Sequence, residues 1–261
     1  MNEMDTGPCA HCGGTGFVIL DDAGRRRARP CVCRAAARAR PTDLQEFLQA
    51  ARIPRRYQDC EFENFAAYGP HQLSLQGAKT WVMRYAEEYP LNDRGILLMG
   101  PPGVGKTHLA AATLRRLALE KGVPCLFCDV QDLLRQLQAT FDRQSGMSEL
   151  ELLKGVLSTE VVLLDDLGGR QFSPWVEETL SHIVTTRYNE SRATLVTTNY
   201  MDEPSTGRGP TLKDRIGPRV YSRLHEMCHL VKVESQDFRQ AIKRADHHRL
   251  SNQAERTKEG P

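Results

Sequence analysis

The sequence predicts an α/β fold, a doubly wound five-stranded parallel sheet, on three observations. From Arg94 onward short apolar runs alternate with helical patterns, as expected of a parallel sheet wrapped by helices. The first run leads into a glycine-rich loop, and the third ends in two adjacent acids. Both are features that such sheets carry at the carboxyl ends of their strands.

The runs are residues 96–99, 125–130, 161–164, 194–198 and 230–233, each short and rich in Val, Leu, Ile or Phe. Continuous apolar strands of this length are expected where helices cover both faces of the sheet. Cys125 and Cys128 share one of these strands. They should therefore point to opposite faces and serve as core.

Composition divides the chain into an N-terminal module (1–40), a helical linker and lead-in segment (41–93), the α/β domain (94–248) and a polar tail (249–261). Apolar residues make up 40% and charged residues 26%, enough for a buried core, and the net charge of +2 gives no global polycation. No run of about 18 apolar residues exists, and Met1-Asn2-Glu3-Met4-Asp5 opens without a basic–apolar leader, so the expected location is cytoplasmic. In a reducing compartment, clustered members of the eight cysteines point to metal rather than disulfides.

Gly100-Pro101-Pro102-Gly103-Val104-Gly105-Lys106-Thr107 matches G-x-x-x-x-G-K-S/T at every specified position. A strand precedes the loop and a helix containing His108 follows it. Glycines let backbone N–H groups cradle phosphates, and the helix presents its positive end to them. Lys106 would neutralise the β- and γ-phosphates of ATP, and the Thr107 hydroxyl would ligate Mg²⁺. The run 161–164 then places Asp165 and Asp166 at the same sheet edge. Asp165 would hold Mg²⁺ and Asp166 would polarise the attacking water. Asn199, after Thr197 and Thr198 at the end of the next strand, can position that water or touch the γ-phosphate.

Cys9-x-x-Cys12 and Cys31-x-Cys33 flank 18 residues. Two close pairs around such a loop could converge on one tetrahedral Zn²⁺ with four thiolates. The second pair is C-x-C rather than C-x-x-C, and His11 could replace one ligand. Free thiols on a tail are the plain alternative. Arg25, Arg26, Arg27 and Arg29 lie between the pairs, followed by Arg34, Arg38 and Arg40. They could track phosphate or face an acidic protein surface. Phe172 and Trp175 beside Arg170 could stack on bases or simply pack in the core.

The loop, the strand ending Asp165-Asp166-Leu167-Gly168 and the strand ending Thr197-Thr198-Asn199 together resemble an AAA+ ATPase. The Asp-Asp pair is similar to the DnaC/DnaI/IstB group of bacterial helicase loaders and transposition helpers. Ile53-Pro54-Arg55-Arg56-Tyr57 with Phe62-Glu63-Asn64-Phe65 resembles that group's lead-in segment. Arg219-Val220-Tyr221-Ser222-Arg223-Leu224 resembles its arginine-finger box, and Asp237-Phe238-Arg239 its sensor-2 motif. The resemblance spans roughly residues 50–245. It implies ATP hydrolysis with Arg223, or Arg219 beside it, acting on a neighbouring subunit, and Arg239 acting in cis. It further implies self-association through that interface, a hexameric replicative helicase as partner and single-stranded DNA as substrate. A lid truncated to one helix near residues 236–248 fits the 27 residues that follow Glu234. The runner-up is a transposition helper on duplex DNA. A small-molecule kinase and a nucleotide-gated adaptor with negligible turnover are more distant alternatives.

Overall fold

The computed structural model describes residues 9–13, 15–22, 25–31, 44–67, 69–91, 94–140, 148–170, 173–203 and 209–240. Its centre is a wholly parallel sheet of β3 (Gly95–Met99), β4 (Cys125–Asp129), β5 (Val161–Leu167), β6 (Thr194–Thr198) and β7 (Cys228–Lys232). The spatial order is β4-β5-β6-β3-β7. The strand that opens the domain thus lies between the fourth and fifth of its sheet, and Met99 pairs with Thr198. That register puts the residues leaving β3 beside those leaving β6.

Three strands are buried along their whole length or nearly so, as apolar runs covered on both faces must be. Alternation then divides the core. Ile96 and Leu98 join one cluster with Val82, Leu109 and Leu114, while Leu97 and Met99 join another with Leu134, Ile183 and Val220. Cys125 belongs to the first and Cys128 to the second, on opposite faces as expected. The first face is covered by α2 (Gln72–Glu88) and α3 (Lys106–Lys121). The second is covered by α4 (Val130–Ala139), α5 (Glu149–Ser158), α6 (Pro174–Asn189) and the consecutive α7 (Leu212–Ile216) and α8 (Pro218–Met227).

Element bounds differ from expectation where polar groups intervene. Asp129 ends β4, because its carboxylate accepts from the Asp132 N–H and caps α4, so Val130 is helical rather than extended. The strand expected at 161–164 continues through the acid pair to Leu167. Of the helix expected at 236–248, residues 236 and 237 are not helical, 238–240 are, and 241–248 lie outside the described residues. Trp175 is half-buried against the second cluster, whereas Phe172 lies outside the described residues.

Ahead of the sheet, α1 (Leu44–Ala50) precedes the lead-in segment. The hairpin of β1 (Phe17–Asp22) and β2 (Arg25–Pro30) packs against α2. Phe17 meets Tyr89 edge-on at 6.2 Å. No helix among the described residues is long and apolar enough to cross a membrane.

One buried charge fastens the second layer. Arg187 on α6 is fully buried, and all five of its N–H donors are used. Nε donates to Thr194 Oγ1, Nη1 to the carbonyls of Val156 and Thr159, and Nη2 to those of Glu160 and Ala193, at 2.7–3.2 Å. Burial pulls its pKa down to about 10, still well above neutrality. Arg187→Met leaves these four carbonyls without their donor, and is expected to cost roughly 3–5 kcal/mol, read as a lower midpoint of denaturant unfolding.

Candidate nucleotide site

The loop 100–105 leaves β3 and turns into α3. Gly105 caps the helix at φ +96°, a left-handed conformation that side chains rarely adopt, and a Cβ there would lie 2.5 Å from the Phe65 ring. No side chain caps α3, so the N–H groups of its first turn remain available to an anion.

Lys106 is 6% exposed. Its Nζ donates to the carbonyls of Gly100 (2.8 Å) and Pro101 (2.7 Å) and to Asn199 Oδ1 (2.7 Å). Burial lowers its pKa to about 8, against the pull of Asp166 and Asp165. Asn199 turns its other end to the acid pair, Nδ2 donating to Asp166 Oδ1 at 2.7 Å. Thr107 Oγ1 donates to Asp165 Oδ1 at 2.9 Å, and Thr197 Oγ1 donates to the same oxygen at 2.6 Å.

In a regular strand Asp165 and Asp166 would face opposite sides. Here the pairing of β5 with β6 shifts register between Leu164 and Leu167. Asp166 takes φ +55° inside that shift, and its N–H donates to Thr197 Oγ1 at 3.0 Å. Such a bulge re-aims side chains, and both carboxylates reach the site. Burial is the largest cause raising the pKa of each; the hydroxyls of Thr197 and Thr107 oppose it at Asp165, and the Lys106 charge opposes it at Asp166. A buried carboxylate next to a hydroxyl oxygen is a hard donor set, short of positive charge, and it fits a divalent cation such as Mg²⁺.

Two further segments close over the loop. The Phe238 N–H donates to the Gly103 carbonyl at 3.1 Å, and the charge of Arg239 lowers the pKa of Lys106, so the segment 237–239 lies at the site. From the lead-in side, Tyr57 stacks on Phe127 at 5.7 Å, and the Thr107 side chain opposes the upward pull of burial on its phenol. His108 Nε2 contacts the Glu61 carbonyl at 2.8 Å, and the imidazole packs edge-on to Phe65.

Thus Lys106, Thr107, Asp165, Asp166 and Asn199 converge in one chain, with Arg239 beside them. Arg219 and Arg223 do not join them. They line a groove of about 460 Å³ on α8 with Tyr188, Pro218, Ser222 and Glu226, and make no hydrogen bond or ion pair among the described residues. Sequence reasoning passed over Thr197 and Tyr57. Strand alternation could have found Thr197, which shares a face with Asn199 two residues on. No local signal marks Tyr57.

Of the cysteines, the Sγ atoms of Cys9, Cys12 and Cys31 lie within 4.8 Å of one another, Cys9 and Cys31 at 3.7 Å. The Gly16 N–H points at Cys12 Sγ at 3.2 Å. Cys33 lies outside the described residues.

A parallel sheet in this order, with a phosphate loop after its first strand, acids ending the third and Asn ending the fourth, defines a P-loop nucleotide-binding domain of the AAA+ class. Within that class the chain belongs to the IstB-like ATP binding protein family, whose model matches residues 37–246. It is 30% identical over 178 residues to the replicative helicase loader DnaC of Escherichia coli K12, covering 68% of this chain and 71% of that one. It is 32% identical to DnaC of Buchnera aphidicola subsp. Schizaphis graminum over 69% of each chain. A crystal structure of the DnaC helicase loader superposes with TM-score 0.59 at 33% identity, over 69% of this chain and all of that one. DnaA bound to AMPPCP and single-stranded DNA shares the fold at TM-score 0.54 and 21% identity, over 70% of this chain and 51% of that one.

Lys106→Ala removes the one ammonium among these loop contacts. It is expected to weaken ATP binding roughly 10- to 100-fold, the worth of a charge-assisted hydrogen bond. A fluorescent-nucleotide titration with a parallel thermal melt measures this, and unchanged affinity would place the phosphates elsewhere.

Proposed function

We propose that this protein is an ATP-hydrolysing loader of a hexameric replicative helicase onto single-stranded DNA. The observation that carries the reading is the 30% identity to the DnaC helicase loader across two thirds of both chains. The loop N–H groups and Lys106 hold the β- and γ-phosphates. Thr107 and Asp165 would hold Mg²⁺, which when bound would supply positive charge to offset the negative charge developing on the phosphate oxygens. Asp166 orients the attacking water and Asn199 fixes the Asp166 carboxylate. Arg223, with Arg219 one helical turn before it, reaches a neighbouring copy and stabilises its transition state. Their place on an open groove whose lining does not include Lys106 suits action in trans.

The N-terminal module (1–40) and the α/β domain (94–248) divide the work, the first engaging the helicase. In that module Cys9, Cys12, Cys31 and Cys33 hold one Zn²⁺, a closed structural site. The sulfur cluster and the Gly16 N–H at Cys12 support this. Metal analysis of purified protein is expected to find about one zinc per chain, lost in Cys31→Ser; no zinc in the parent protein would remove the site.

A second reading, a transposition helper on duplex DNA, rests on membership of the IstB-like family. Native mass measurement of the protein mixed with its host's replicative helicase and ATP separates the two. A discrete complex is expected. No complex, with filaments on duplex DNA instead, would favour the transposition helper.

A further inference from the structure

Beyond the residues assigned to nucleotide above, one side chain joins the end of β5, which bears the acids, and the end of β6, which leads into Asn199, to the helix pair that carries Arg219 and Arg223. Arg215 lies on α7. Its Nε donates to the Gly168 carbonyl at 2.7 Å, and its Nη2 donates to those of Gly169 (3.1 Å) and Arg170 (2.7 Å). Its guanidinium lies 4.9 Å from the centre of the Tyr200 ring, and Tyr200 follows Asn199 directly. One planar cation thus holds the segment leaving β5 and packs on the segment leaving β6.

The held segment is the one that follows Asp166. Asp166 is at φ +55° and Gly168 at φ +84°. A Cβ on Gly168 would sit 3.1 Å from Arg215 Cβ and 3.2 Å from the Tyr200 ring, so the three residues leave no slack. A non-glycine residue persists in the left-handed region only where its surroundings over-determine it. Upstream, Thr197 and Asn199 fix Asp166. Downstream, Arg215 is that constraint. From the other side the Gln131 amide, turned oxygen-inward, accepts from the N–H groups of Gly169 (3.2 Å) and Arg170 (2.5 Å).

The far end of the link is α8, which follows α7 after Gly217. It is tied back to the same edge by Asp202, whose Oδ1 accepts from Tyr221 at 3.0 Å and contacts His225 Nε2 at 3.1 Å. These two residues flank Arg223 along the helix.

We propose that Arg215 is a positioning residue for hydrolysis. Its guanidinium clasps the backbone of residues 168–170 and so keeps Asp166 and Asn199 in register with each other and with the helix that carries Arg219 and Arg223. Arg215 touches neither phosphate nor water; it acts through the backbone it holds. A lysine replaces it only in part, because one ammonium lacks the planar fork that meets the carbonyls while lying on the Tyr200 ring. The assignment rests on the hydrolytic reading given above.

The test uses the full chain, comparing wild type with Arg215→Gln and Arg215→Lys. Nucleotide affinity, melting temperature and steady-state ATP turnover are measured for each. Both variants are expected to bind ATP as the wild type does with KM unchanged, because Arg215 makes no contact with the phosphate loop. The turnover number of Arg215→Gln is expected to fall roughly 10- to 100-fold, the scale of a small misplacement of a catalytic group. Arg215→Lys should fall between the two. Should Arg215→Gln fail to fold, Arg215→Lys and Tyr200→Leu, which removes the ring beneath the guanidinium, carry the measurement, both with reduced turnover and intact affinity. Turnover in the folded variants equal to wild type overturns the assignment, as does a fall in ATP affinity that matches the fall in turnover. A wild type that binds ATP and hydrolyses none removes the hydrolytic reading itself, a failure visible before any variant is made.

Discussion

The register shift between β5 and β6 is the constraint on which the rest of the site depends. A regular strand would aim Asp165 at one face and Asp166 at the other. The extra residue between Leu164 and Leu167 lets Asp165 reach Thr107 while Asp166 reaches Asn199. The left-handed turn at Asp166 is a local cost of order 1–3 kcal/mol. It is offset by the hydrogen bond that the Asp166 N–H donates to Thr197 Oγ1 and the one that its carboxylate accepts from Asn199. Lys106 completes a chain from the phosphate loop through Asn199 to Asp166.

Cations bonded to backbone carbonyls recur through the domain. Arg187 spends four of its five donors on carbonyls, Lys121 bonds those of Glu87 and Tyr89, and Arg215 bonds three more. Each fixes a chain segment where two elements meet, without a paired carboxylate whose own desolvation would add to the cost. For Lys121 that desolvation lowers the pKa to about 8, much as at Lys106. The same chemistry serves packing at Arg187 and the geometry of the acid-bearing strand end at Arg215.

The site is built from both sides of the domain. The lead-in segment reaches it through Tyr57, Phe65 and the Glu61–His108 contact, and is pinned to α3 by Arg115 with Glu61 and by Arg116 with Glu63. The strand-exit side reaches it through α7 and α8. The nucleotide edge therefore lies between the part of the chain nearest the cysteine hairpin and the helix that presents Arg219 and Arg223.

The sequence by itself determined the sheet, its parallel character, the phosphate loop and the identity of the acids and Asn199. Strand periodicity and the spacing of glycine, lysine and threonine are local properties that need no knowledge of neighbours. It also placed Cys125 and Cys128 on opposite faces, since alternation alone decides that. The tertiary structure decided what distant segments do to one another. The bulge that aims both acids, Thr197 as partner to Asp165, Tyr57 over Thr107 and the clasp of Arg215 each join residues far apart in the chain, and no residue-to-residue period encodes them. An arginine on a short helix reads as a solvated charge until the fold brings three carbonyls and an aromatic ring around it.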